Sequence, residues 1–405
     1  MTRAPQASPP APAPANPLGF LDEALEGLRS EGLYRKLRVL AGEQKPHARF
    51  DGREVINLSS NNYLGLTTHP KLREAAARAV RELGAGSGSV RTIAGTMDLH
   101  LELERKIAAF KKTEAAVVFQ SGFTANAGTV SSILGKEDLI LSDELNHASI
   151  IDGARLSRAT IKVFPHRDTG ALRKLLDETS DVKRRLVITD GVFSMDGDIA
   201  PLPEIAALAR EHGAIMMVDD AHASGVLGKN GRGTIDHFGV AGQVDVQVGT
   251  LSKAIGVLGG YVCGSKSLIE YLYHRARPFL FSTSHPPAVA AACIAAFEVL
   301  EQEPERIERL WSNTRRFKAG LTRLGFDTGI SETPITPILV GEAERAMKLS
   351  DLAFERGVFA QGIGYPTVAK GRARLRTIVT ATHTEEELDR ALEILGEAAR
   401  SLGIL

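Results

Sequence analysis

The segment Ile215-Met216-Met217-Val218-Asp219-Asp220-Ala221-His222 decides how this chain is read. Its apolar residues run without in/out alternation, and two carboxylates and an imidazole follow at once. A short apolar run closed by polar residues fits a strand buried on both faces. Similar runs stand at Ala116–Phe119, Leu139–Leu141, Ile161–Phe164, Leu186–Thr189, Val244–Val248 and Gly260–Cys263. Helical patterns such as Leu202–His212 lie between most of them. Such alternation predicts an α/β domain built on a mostly parallel, seven-stranded sheet. Ligands of open sheets sit beyond the carboxyl ends of the strands, so the polar residues just after each run are the candidates for function.

Outward from this core the pattern changes. Residues 1–17 are a Pro/Ala-rich tract that cannot build a core and reads as a disordered or polyproline-like tail. Leu18, Leu21, Leu25 and Leu28 then recur at spacings of three and four, which predicts an amphipathic helix. A turn at Asp51-Gly52 separates two short extended pieces, so residues 18–60 read as a helix plus an extended segment. Helical periodicity holds over Pro70–Leu83 and Asp98–Phe110, with the flexible stretch Gly84-Ala85-Gly86-Ser87-Gly88-Ser89 between them. The large α/β domain is expected over residues 61–285. Beyond Pro286-Pro287 come a charged helix over Pro304–Leu324, extended segments at Ile335–Val340 and Leu375–Val379, and a last helix over Glu385–Leu402. Residues 286–405 are therefore expected to form a smaller α+β domain, with the N-terminal helix packed against it.

Composition agrees with a globular protein. The 405 residues are 43% apolar but only 5% aromatic, enough for a large aliphatic core. Forty-nine basic residues balance 49 acidic ones, so nothing argues for nucleic acid as a partner. No apolar stretch reaches the roughly 18 residues of a membrane span, and no signal core follows Arg3. Cys263 and Cys293 each sit in an apolar run and read as buried thiols of a cytoplasmic protein.

Three pieces carry chemistry. Asp219, Asp220 and His222 close a strand, a pattern open to a helix cap or a metal site, although no further His or Cys cluster stands nearby. Lys253, in Gly249-Thr250-Leu251-Ser252-Lys253-Ala254, is an ammonium among hydroxyls and apolar residues, where a lysine has reason to lose its proton and act as a nucleophile. Phe119-Gln120-Ser121-Gly122-Phe123-Thr124 ends a strand in a small-residue turn that opens a helix, a setting that suits a phosphate. A Schiff-base lysine, a buried acid and a phosphate cradle together are the protein side of a pyridoxal phosphate site.

At this point the chain resembles a known family. Asn61-Asn62-Tyr63-Leu64-Gly65-Leu66, Asn146-His147-Ala148-Ser149, Val192-Phe193-Ser194-Met195-Asp196-Gly197, Asp219-Asp220-Ala221-His222, Gly249–Lys253 and Arg374-Leu375-Arg376-Thr377 look like the α-oxoamine synthases. These are fold-type I pyridoxal phosphate enzymes that condense a small amino acid with an acyl-CoA. The resemblance spans about residues 20 to 400. It implies that Lys253 carries the cofactor and moves protons at the substrate α-carbon. Asp219 would hold the pyridine nitrogen, while Asp220 braces the turn. His222 and Ser194 would lie at the ring oxygen, and His147 would stack on the ring, although a helix-capping histidine would look the same. Gly122, Phe123, Thr250 and Ser252 would hold the cofactor and its phosphate. Ser282 and Thr283 would reach the phosphate of a partner subunit, which implies a homodimer with shared sites. Arg376 and Asn61 would bind the amino acid carboxylate, with Arg372 and Arg374 read as surface residues. Arg35 and Thr367 would contact the acyl substrate.

Two branches of the family compete. Ala94-Gly95-Thr96, the residues after His147 and Arg277-Pro278-Phe279-Leu280-Phe281-Ser282 look most like glycine C-acetyltransferases, which use glycine and acetyl-CoA. Ser282-Thr283-Ser284, Pro286-Pro287 and Thr367 also resemble 8-amino-7-oxononanoate synthases, which use alanine and pimeloyl-CoA. The first branch is the expectation, with a promiscuous enzyme as a variant of it. A non-catalytic scaffold is the reading of another class, and Lys253, Asp219 and His147 together argue against it.

Overall fold

The computed structural model describes residues 16–31, 33, 34 and 36–405. The tail expected over residues 1–17 therefore lies almost wholly outside the described residues, and so does Arg35. The seven apolar runs form one sheet: β1 Ala115–Phe119, β2 Leu139–Asp143, β3 Thr160–Phe164, β4 Arg185–Asp190, β5 Ile215–Asp219, β6 Val246–Thr250 and β7 Gly260–Gly264. Their order is β1-β7-β6-β5-β4-β2-β3, and only β7 runs antiparallel to its neighbours. Every residue of β2, β4, β6 and β7 is buried, which is why these strands read as continuous apolar runs. The strand expected at Val244 begins two residues later, at Val246.

The C-terminal part follows the expectation in kind. The helix Glu305–Leu324 leads to β8 Ile335–Gly341, the helix Ala343–Glu355, β9 Gln361–Ile363, β10 Ala373–Ile378 and the helix Glu385–Ser401. β10 lies between β8 and β9, antiparallel to both. The short β9 has no periodicity to show in sequence. One expectation is corrected. The N-terminal helix, Phe20–Ser30, buries none of its side chains. The hairpin His47–Phe50 and Arg53–Asn57 makes the connection instead, pairing Ile56 and Asn57 with Val358 and Phe359 in parallel. Among the described residues no helix is long and apolar enough to cross a membrane.

This architecture brings the ends of β1, β2, β4, β5 and β6 to one edge of the sheet. The register sets Asp190 of β4 beside Asp219 of β5, and Asp219 beside Val248 of β6. β10 arrives from the C-terminal domain over the same edge, where Arg374 and Arg376 meet the turn after β4.

Candidate active site

Two adjoining cavities open at the strand ends, one of about 200 Å³ and one of about 900 Å³. Lys253, His147, Ser194 and His222 line both. Gly122, Phe123, Asp219, Thr250 and Ser252 line the smaller cavity, and Asn61, Thr367 and Arg376 the larger. Ser282 and Thr283 line neither; Thr283 is exposed, and its carbonyl accepts from Gln120 Nε2 at 2.8 Å.

The smaller cavity is built from backbone as much as from side chains. Ser121 caps the helix Gly122–Ile133 by accepting from the Thr124 amide, which leaves the Gly122 and Phe123 amides without acceptors inside the helix. The neighbouring β7 comes so close that a Cβ on Gly260 would lie 2.3 Å from the Ser121 carbonyl oxygen. The loop that carries Lys253 is closed by its own hydroxyls: Thr250 Oγ1 donates to the Gly259 carbonyl at 2.9 Å and accepts from the Ser252 amide at 3.1 Å. The Lys253 ammonium makes no hydrogen bond or ion pair among the described residues; only the backbone carbonyl of the residue is engaged, accepting from the Gly256 amide at 2.9 Å. Desolvation lowers its pKa to about 8, with the Asp219 charge opposing the shift. A neutral amine is therefore accessible near physiological pH.

Asp219 is buried, accepts from the Ala221 amide at 2.9 Å and from Asn126 Nδ2 at 2.6 Å, and has no ion-pair partner among the described residues. A buried carboxylate without a cation is costly, and a protonated ring nitrogen would supply one. With the free amides at the helix start and the unengaged lysine, the site fits pyridoxal phosphate on its own chemistry. The helix-cap reading of Asp219 fails, because no helix begins there.

Several contacts lay beyond sequence reasoning. Tyr63 Oη meets His222 Nδ1 at 2.8 Å, and burial, reinforced by Lys253, Arg376 and His147, holds the His222 imidazole neutral. Asp190 accepts from the His147 amide at 3.1 Å, and burial beside the Asp219 charge pushes its carboxyl well above the usual range. His147 caps the helix Ala148–Ser157 through Nδ1, as the capping reading expected, and also lines both cavities. Tyr63, His147 and His222 each stood inside a quoted motif and Asp190 did not, but nothing in the sequence marked which of them meet.

The larger cavity lies under β10. Arg376 Nε donates to the Ser194 carbonyl at 2.6 Å, and its Nη2 lies 3.4 Å from Asn61 Oδ1. Arg374 corrects its reading as a surface residue. It is buried and donates to Asp196 Oδ1 at 2.6 Å and to the Met195 carbonyl at 3.1 Å. Gly197, at φ +72°, completes the turn, and its carbonyl accepts from the Glu332 and Thr333 amides. The turn from Ser194 to Gly197 is thus gripped from the C-terminal domain at several points. Leu145, Ile151, Phe193, Met195 and Val368 make an apolar wall beside it.

Residues 53–395 match the family model for aminotransferase class I and II. An 8-amino-7-oxononanoate synthase from Symbiobacterium thermophilum is 62% identical over 387 residues, covering 95% of this chain and 99% of that protein. The 8-amino-7-oxononanoate synthase 1 of Bacillus subtilis is 58% identical, with 95% and 98% covered. A serine palmitoyltransferase from S. paucimobilis, solved with pyridoxal phosphate and myriocin bound, is 33% identical with a TM-score of 0.91 over 96% of this chain and 98% of its own. Both sequence relatives carry the name of the second branch, and not of the glycine C-acetyltransferases that the motifs near Thr96 and His147 favoured. With the cavity, the unengaged lysine and these likenesses in agreement, this chain belongs to the aminotransferase class I and II family and, within it, to the α-oxoamine synthases, acyltransferases that depend on pyridoxal phosphate.

Proposed function

We propose that the chain is an 8-amino-7-oxononanoate synthase, condensing alanine with pimeloyl-CoA and releasing CoA and carbon dioxide. The observation that carries this reading is the 62% identity, over nearly the full length of both chains, to a protein of that name. The apolar wall of Leu145, Ile151, Phe193, Met195 and Val368 supports it, since a methylene chain gains about 0.8 kcal/mol per buried CH₂.

Bound pyridoxal phosphate supplies an electron sink for negative charge at the amino acid α-carbon. The chain's own residues do the rest. Gly122 and Phe123 offer amides to the phosphate, with Thr250 and Ser252 beside them. Asp219 would hold the ring nitrogen, and His222 and Ser194 would serve the ring oxygen. Arg376 clamps the substrate carboxylate as a fork, with Asn61 next to it. Lys253 takes the α-proton as a neutral amine, and His147 stands over the reacting centre. Arg35 and Thr367 serve the acyl donor. Ser282 and Thr283 line neither cavity of their own chain, which supports a homodimer in which they reach the second copy's site. The two buried thiols fit a cytoplasmic setting.

The test is CoA release from a matrix of glycine, alanine and serine against acetyl-, succinyl-, palmitoyl- and pimeloyl-CoA. Alanine with pimeloyl-CoA should give the highest kcat/KM. A win for glycine with acetyl-CoA by roughly tenfold, the scale of one or two methylenes of fit, would return the assignment to the other branch.

A further inference from the structure

Between the two functional side chains Asp219 and His147 runs a buried relay that the reading above does not use. Asn126 Nδ2 donates to Asp219 Oδ2 at 2.6 Å and to Ser149 Oγ at 2.9 Å. Ser149 Oγ lies 2.7 Å from His147 Nδ1, and the Ser149 amide lies 3.2 Å from the same nitrogen. Asn126 and Ser149 are almost wholly buried.

The proton positions follow from what each group can do. A carboxylate at Asp219 only accepts, so Asn126 must turn its NH₂ toward it. The alternative orientation would set two oxygens 2.6 Å apart, and the buried Asn126 Oδ1 finds no other partner where it is. The second hydrogen of that NH₂ goes to Ser149 Oγ, so the serine hydroxyl hydrogen is left for His147 Nδ1. The Ser149 amide can only donate to Nδ1 as well. Two donors converge on one ring nitrogen, which must carry the lone pair.

We infer that Asn126 and Ser149 are positioning residues that fix His147 as its Nε2–H tautomer, so that His147 serves the reaction as a hydrogen-bond donor and not as a base. The groups that face the ring agree: desolvation lowers the His147 pKa and keeps the ring neutral, and Asp219 and Lys253 act in opposite directions on it. With Nδ1 tied to its own helix, Nε2–H is what the ring offers the cavities. A donor there suits an acceptor oxygen that gains negative charge, as the thioester carbonyl oxygen does when the α-carbon attacks it. The inference rests on the placing of His147 at the reacting centre proposed above.

The experiment is ¹⁵N NMR of histidine-labelled protein, with and without pyridoxal phosphate, the His147 signal being identified by its loss in His147→Ala. Wild type should show an unprotonated Nδ1 and a protonated Nε2 in both forms. Ser149→Ala should release a measurable Nδ1–H population and lower kcat roughly tenfold at nearly constant KM for the amino acid, and Ser149→Thr should restore both. Asn126→Ala should shift the tautomer in the same direction. A protonated Nδ1 in wild type overturns the inference, and so does a tautomer that neither variant moves. Full turnover by His147→Ala would instead overturn the placing of His147, whatever the NMR shows.

Discussion

Asp219 and Asp220 are consecutive, both are buried, and they lie in opposite electrostatic settings. Asp220 is complete without a ligand: Lys111 Nζ lies 2.8 Å from Oδ2, and Thr234 donates to it from both Oγ1 and the backbone. Burial would lower the Lys111 pKa, but Asp220 overcomes this and holds it above its ordinary value. Asp219 is held only by neutral donors, from Asn126 and Ala221. One carboxylate is paired with a cation inside the fold, and the other has none among the described residues. Asp219 is the last residue of β5 and Asp220 the first beyond it, so the division falls across a single peptide bond.

The comparison breaks first at Lys253, the ammonium nearest in kind to Lys111 but without its partner. Lys253→Ala should lose roughly 10⁴ in kcat, the scale of a positioned proton-transfer group, and leave the thermal unfolding temperature unchanged or higher. A label placed by borohydride reduction should map to Lys253 in wild type, and a label on another lysine would falsify its role. Next come the two acids themselves. Asp219→Asn should cost roughly 10²–10³ in kcat, with little loss of stability. Asp220→Asn should do the reverse, destabilising the fold by about 3–5 kcal/mol in a denaturant titration because it strands a buried ammonium. Equal losses of activity in the two variants would erase the distinction.

A third arm extends the comparison to the C-terminal domain. Arg374→Ala should raise the KM for the amino acid about tenfold, as expected for a lost charged hydrogen bond beside the carboxylate site, with a smaller change in kcat. An unchanged KM would make Arg374 purely structural.

The smallest effect lies at His166, which stands between Asp143 at 3.0 Å and Asp198 at 2.8 Å. Burial works against its charge, but the two carboxylates win and raise its pKa to about 9. A histidine whose pKa is raised on folding contributes stability that is complete below about pH 6.5 and is lost as pH rises through about 9. Unfolding measured from pH 6 to 10 should show a decline of roughly 1–3 kcal/mol that His166→Gln flattens. A decline of the same size in the variant would assign it to other groups.

The two acids also mark how far sequence reaches. The strand that ends at Asp219, the lysine turn and the helix start at Ser121 were legible, because each is a local pattern of apolar run, glycine and hydroxyl. What joins them was not. Asn126 and Asp219 are 93 positions apart, Tyr63 and His222 are 159, and Arg374 and Asp196 are 178. No period or spacing encodes a contact over such distances. Arg374 read as a surface residue because an alternating strand hides which face meets another domain. The choice between acyl donors was illegible for a related reason: it is set by the wall of a cavity whose residues come from several separate segments.

The turn from Ser194 to Gly197 has a practical corollary. Arg376 holds the Ser194 carbonyl with one nitrogen, and the rest of its fork faces the place proposed for the amino acid. A displacement of that guanidinium on binding would therefore tug on Ser194, the residue proposed to serve the cofactor ring. The pigment would then act as a strain gauge for its neighbour: absorbance recorded while an unreactive carboxylic acid is titrated in would report the pull across the domain boundary before any bond is made.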